Sequence, residues 1–150
     1  MTAPFTGAGA LSALVDEPYP IPDEFPDFEQ VLIDLLTPIA YTCTTLPKSA
    51  ELMEQALPLL WVRRVGGGLD ADGITDTAHM QITAFSYTRR LSVQLARQAR
   101  RAILGSPGAD INGVLLDWAE EITGLIEMGD IDPLNRTEEI AFALDARRQY

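Results

Sequence analysis

"LPLLWVRRVGGGLDADGITD", Leu57–Asp76, decides how this chain folds. An apolar run carrying Arg63 and Arg64 leads into three glycines, Gly66, Gly67 and Gly68, and then into Asp70, Asp72 and Asp76. A phosphate cradle, a calcium loop and a hairpin all begin to look like this. Gly68 and Gly73 have the spacing of a phosphate loop, but Ile74 and Thr75 stand where Lys and Ser or Thr are required. The cation that meets phosphate is therefore missing, and Asp70 and Asp72 add repulsion. A calcium loop counted from Asp70 needs its glycine at the sixth place, which is Thr75, while Gly73 comes two residues early. What remains is a hairpin in which the stretch from Gly66 to Thr77 is a mobile connection, glycine supplying backbone freedom and aspartate turn chemistry. At roughly twelve residues it is longer than most hairpin connections, and such loops often carry function.

The segments flanking that connection alternate. Leu59, Trp61, Arg63 and Val65 fall on one face of a strand over Leu59–Val65, with Leu60, Val62 and Arg64 on the other. Met80, Ile82 and Ala84 alternate with Gln81, Thr83 and Phe85 in a second strand over Met80–Tyr87, antiparallel to the first. Upstream, Phe28, Val31, Leu32, Leu35 and Leu36 recur at helical spacing between Pro26 and Pro38. The β-branched stretch Tyr41–Pro47 predicts a short strand, and Lys48–Ala56 has room for one or two helical turns.

Downstream, Arg90–Leu104 is the clearest helix, with Leu91, Leu95, Ala99, Ala102 and Ile103 on one side and Arg90, Arg97 and Arg101 on the opposite side. Gly105, Pro107 and Gly108 end it. Strand alternation returns at Val114–Ile122 and again at Thr137–Arg148, where Ile140, Phe142 and Leu144 oppose Ala141, Ala143 and Asp145; the alanines and glutamates of that last segment would also tolerate a helix. The fold class is α+β: a mainly antiparallel sheet of four to five strands with two helices packed on one face. Residues 26–150 are expected to form a single domain, and residues 1–25 an extended arm. Pro4, Pro18, Pro20 and Pro22 disfavour helix and central strand there, and Phe5, Leu11, Leu14, Val15, Tyr19 and Ile21 offer apolar anchors for a neighbouring subunit.

Charge limits the function. The chain of 150 residues carries a net charge of -11, and Met1–Pro47 holds seven acids and no base. A module that grips nucleic acid by neutralising phosphates is disfavoured, whereas a surface that DNA slides past without sticking is compatible with like charge. Cys43 is the only cysteine, so no internal disulfide and no Cys-rich zinc site forms. No basic start precedes an apolar core, as a secretory signal would need, and no apolar run reaches the ~20 residues of a spanning helix, so no membrane partner is expected. His79 is the only histidine, no nucleophile elbow or zinc pair occurs, and the paired acids Glu120–Glu121 and Glu138–Glu139 suit solvated edges. No catalysis, cofactor or metal is expected.

Arg89, Arg90, Arg97, Arg100 and Arg101 stand without an acid among them. A basic helix face on an acidic chain is suited to dock against acids of another copy, since bidentate pairing with carboxylates favours arginine.

The combination "LPLLWVRRVGGGLDADGITD", "MQITAFSYTRRLSVQLARQARRAIL" and a closing pair of strands resembles the tail terminator, or tail completion, proteins of long-tailed phages, especially those infecting actinobacteria. The resemblance spans about Pro26–Arg148; the acidic, alanine-rich end "EEIAFALDARRQY" and the long arm depart from it. It implies a non-enzymatic virion protein assembled in the host cytoplasm: a homo-oligomer, a hexameric ring, that caps the tube of the major tail tube protein. Such a ring stops tube growth, meets the neck or head-completion protein, and passes DNA through its lumen without specific binding. Subunit contacts are then expected at Arg90, Arg97 and Arg101 with acids such as Asp27 and Asp34 of a neighbour. Tube contacts are expected at the loop holding Gly66, Gly67, Gly68, Asp70, Asp72 and Asp76. A neck or head-closure connector, or a small ligand-binding regulatory domain, would share the same elements.

Overall fold

A computed structural model describes residues 24–127, 134 and 136–149 of the chain. All but Glu24 and Phe25 of the expected arm lies outside the described residues. Helix α1, Phe28–Leu36, is capped by Asp27, whose carboxylate accepts the backbone N–H groups of Glu29 and Gln30. Phe28, Val31, Leu32 and Leu36 are its buried face, as the spacing predicts. Strand β1, Tyr41–Cys43, is shorter than expected and runs parallel to β2. Helix α2, Ala50–Ala56, follows a Ser49 cap and buries none of its residues.

Strand β2, Leu59–Leu69, pairs antiparallel with β3, Thr75–Phe85, which pairs antiparallel with β7, Thr137–Arg147. Helix α3 spans Arg89–Leu104 behind a Thr88 cap. A small hairpin of β4, Asp110–Ile111, and β5, Val114–Leu115, precedes β6, Trp118–Glu127, which completes the sheet in the order β1-β2-β3-β7-β6. The expected strand Val114–Ile122 is thus split at Leu116–Asp117: Val114 and Leu115 pair back on β4 across a turn where Asn112 and Gly113 take positive φ, whereas Trp118 onward pairs with β7. The last segment is a strand; its alanines sit within a ladder that pairs every residue from Thr137 to Arg147 with β3.

One face of the sheet carries Leu60, Val62, Met80, Ile82, Ile140, Phe142 and Leu144, all fully buried with α1 and α3. Burying a side chain of this kind contributes about 1.5–3 kcal/mol. On α3 the buried stripe is Ser92, Leu95, Ala96, Ala99 and Ile103. Leu91, expected inside, is exposed, and Ser92 takes a buried place by donating its hydroxyl to the Arg136 carbonyl. The expectation of two helices on one face holds for α1 and α3. The third helix, α2, lies with a second cluster on the opposite side, where Met53 packs against Cys43, Leu57, Leu59 and Phe85.

The triple glycine is not a mobile connection. Gly66, Gly67 and Gly68 are ladder residues of β2 facing His79, Ala78 and Thr77, after a register shift between Arg64 and Gly66. The turn proper is Asp70–Ile74, where Asp70 accepts the N–H groups of Ile74 and Thr75. Glycine is required at one of the three positions. Gly67 has φ +96°, and a Cβ there would stand 1.9 Å from the Thr77 carbonyl oxygen, while one on Gly68 would meet nothing within 4 Å. Gly67→Ala should therefore cost at least about 2 kcal/mol in urea denaturation, and Gly68→Ala less than about 1 kcal/mol. Equal losses would show that the ladder does not constrain this strand.

Candidate functional site

The sequence points to surfaces, and the fold distributes them over separate regions of the subunit. On α3, Arg90, Arg97 and Arg101 are exposed and form no ion pair among the described residues. Arg89, Arg90, Val93, Gln94 and Arg97 line a shallow depression of about 440 Å³. Arg100 leaves the stripe to meet Glu121 of β6 at 3.0 Å, and Arg89 lies 3.8 Å from Glu138 of β7. The stripe available to a partner is therefore narrower than the five arginines of the sequence.

The acids expected to meet it from a neighbour already serve their own subunit. Asp27 caps α1, and Asp34 accepts the Gln30 amide at 3.0 Å and the Asn112 amide at 3.3 Å.

At the hairpin, the six residues expected to form one loop separate into three roles. Gly66–Gly68 are strand; Asp70 organises the turn, with Asp72 exposed beside it; Asp76 is buried. Asp76 binds Arg64 through two hydrogen bonds, 3.0 and 3.1 Å, and Arg64 also donates to the Thr77 and Gly66 carbonyl oxygens. The guanidinium lies 5.5 Å from the Phe28 ring centroid, and the Arg64 N–H donates to Glu29 at 2.9 Å, so the hairpin is tied to α1.

Sequence reasoning missed the surface beside the turn. Ile74 lines a cleft of about 600 Å³ with Gly113, Leu115, Asp117 and Arg147, and Leu69, Ile74, Leu115 and Trp118 are all exposed nearby or along the adjoining strands. Arg147 reaches Asp117 at 2.9 Å, and this hydrogen-bonded carboxylate raises the guanidinium pKa further. The signal was the isolated apolar residues at turn positions, which a periodicity search passes over.

Glu138 and Glu139 correct another expectation: both are buried, not solvated edges. Glu139 accepts from Thr83 at 3.1 Å and from Arg63 at 3.2 Å, and Arg63 stacks 3.8 Å over the Trp61 ring. Adjacent acids face opposite sides of β7, and each side supplies an arginine.

Cys43 is buried, and desolvation pushes its thiol pKa up, so it stays protonated near neutral pH. His79 is exposed within β3. Among the described residues, no group of three His, Cys, Asp or Glu side chains is placed to hold a metal, and no helix is long and apolar enough to cross a membrane.

Residues 24–124 match a family described as phage tail termination protein. The match runs from the start of the described chain through α1, α3 and the hairpins into β6. No curated protein matches the chain.

Two kinds of arginine follow from this geometry, and stability separates them. Asp76→Ala should cost about 1–3 kcal/mol in urea denaturation by stranding Arg64 against the sheet, whereas Arg97→Ala should change it by no more than ~0.5 kcal/mol. A comparable loss at Arg97 would mean that the stripe is structural.

Proposed function

The chain belongs to the phage tail termination protein family, and from that premise we propose that it forms a closed six-membered ring on the end of the tail tube. A structural role in the phage tail follows from the family itself. The ring ends polymerisation of the tube protein and presents its other side to the neck of the filled head, which places the protein in the virion at the head-to-tail junction. DNA passes through the lumen without specific binding, which a net charge of -11 supports.

The observation that carries the reading is the row of Arg90, Arg97 and Arg101, exposed and without an ion pair among the described residues on a strongly acidic chain. A basic face and acidic faces at different places on one subunit favour head-to-tail contacts, and such contacts close into rings when the rotation allows. Asp27 and Asp34 of the neighbour are the acids assigned to that face, in addition to the contacts each makes within its own subunit. The tube contact is assigned to the turn with Asp70 and Asp72 and to the apolar residues around it, Leu69, Ile74 and Leu115. This exposed apolar set at the end of a paired hairpin is suited to a protein surface.

The test is assembly. Light scattering should give a mass near six times 16.4 kDa, falling as ionic strength rises. Arg97→Glu with Arg101→Glu should leave thermal unfolding unchanged and reduce the mass to that of one chain; an unchanged mass would remove the stripe from the interface. Leu69→Asp with Ile74→Asp should leave the ring intact and abolish the joining of tails in complementation, and normal joining would exclude this end as the tube contact.

A further inference from the structure

A groove at one end of the sheet takes no part in the contacts assigned above. It holds about 510 Å³ and is floored by Leu46, Met53, Leu57 and Phe85. Helix α2 forms one wall without burying a residue of its own, and a two-pronged pair from Arg136 to Glu54, at 2.9 and 3.0 Å, fastens that wall to the approach of β7. Lys48, the only lysine in the chain, stands exposed at the rim. An apolar floor of this size with a cation at its edge fits a short apolar segment that ends in acids.

The chain contains such a segment. Leu11, Leu14 and Val15 are followed directly by Asp16 and Glu17, and no basic residue occurs before Lys48. We propose that Leu11–Glu17 of one copy occupies the groove of an adjacent copy, the three apolar side chains meeting the floor and the two acids meeting Lys48. This rests on the self-association proposed above and names a second connection between the subunits.

Length decides between a copy's own groove and its neighbour's. The chain leaves the described fold at Glu24, which bridges to Gln149, whereas the groove lies where Phe85 faces Thr137. Thr137 to Gln149 is twelve residues of strand and its extension, about 40 Å at a rise of ~3.3 Å. Val15 is nine residues before Glu24, and nine fully extended residues span at most about 32 Å. Val15 therefore falls short of its own groove. Root and groove lie at opposite ends of the sheet, so an arm that leaves one copy is directed towards the receiving end of another.

The experiment uses the full chain with one added cysteine, Ser12→Cys in the arm or Ala50→Cys at the groove; the native Cys43 is buried. The two variants are co-expressed, their mass is measured, and they are mildly oxidised. The expected result is a covalent pair of chains in the mixture, absent from either variant alone and lost when Leu14→Asp is added to the arm. An assembled protein that gives no mixed pair overturns the arm contact and leaves the ring standing. A chain carrying both cysteines that closes on itself and runs as a single covalent chain overturns the exchange between copies. A protein that stays monomeric at every concentration overturns the ring and the arm contact with it.

Discussion

Met80, Ile82, Ile140, Phe142 and Leu144 make a continuous apolar surface on two central strands, and α1 and α3 lie across it to exclude water. Much else in the molecule is arranged around that burial. The register of β3 on β7 runs through all eleven residues without a break, because a slip of one would turn the set towards solvent. The helices show the same demand from the other side: the stripe of α3 that touches the sheet includes two alanines, which let the backbone approach closely. Irregularity is pushed to the periphery, to the shift in β2 and the two shifts in β6.

The consecutive arginines Arg63 and Arg64 illustrate how strand alternation divides charge. One lies on the face away from α1 and α3 and reaches Glu139 across β3; the other lies on the side of α1 and α3 and closes on Asp76. Such pairs give little net stability once desolvation is counted, but an incorrect pairing would strand a charge beside apolar neighbours. Their contribution is to discriminate between registers. On α3, Arg90, Arg97 and Arg101 have no such pair among the described residues, unlike Arg89 and Arg100, and they are the ones offered to a partner.

Much of this was legible in the sequence because hydrophobic periodicity is a local signal. Phe28, Val31 and Leu32 announced α1, and Ile140, Phe142 and Leu144 announced β7, although alanines and glutamates blurred the latter. The misreadings share a cause: each needed knowledge of a distant neighbour. Glu139 is comfortable inside only because Arg63 and Thr83 arrive from other strands. The triple glycine looked like slack chain, yet Gly67 is held against the Thr77 carbonyl by the ladder that surrounds it. Helix α2 could be anticipated only as a turn or two, and its position against Leu59 and Phe85 on the far side of the sheet was invisible without the fold. Of the interaction surface, the arginine row was readable and the apolar residues beside the hairpin turn were not, since single exposed side chains leave no period.

The pairing of β2 with β3, resumed after the shift at Val65 and carried as far as Leu69, has a mechanical meaning. A hairpin with a slack neck would swing at its base and absorb a push on the turn. This one is a cantilever, anchored by Arg64 to the Phe28 ring and by Glu29 to the Arg64 backbone, so a displacement at the tip is delivered to the first turn of α1. Whatever presses on the end of the subunit is felt in its core.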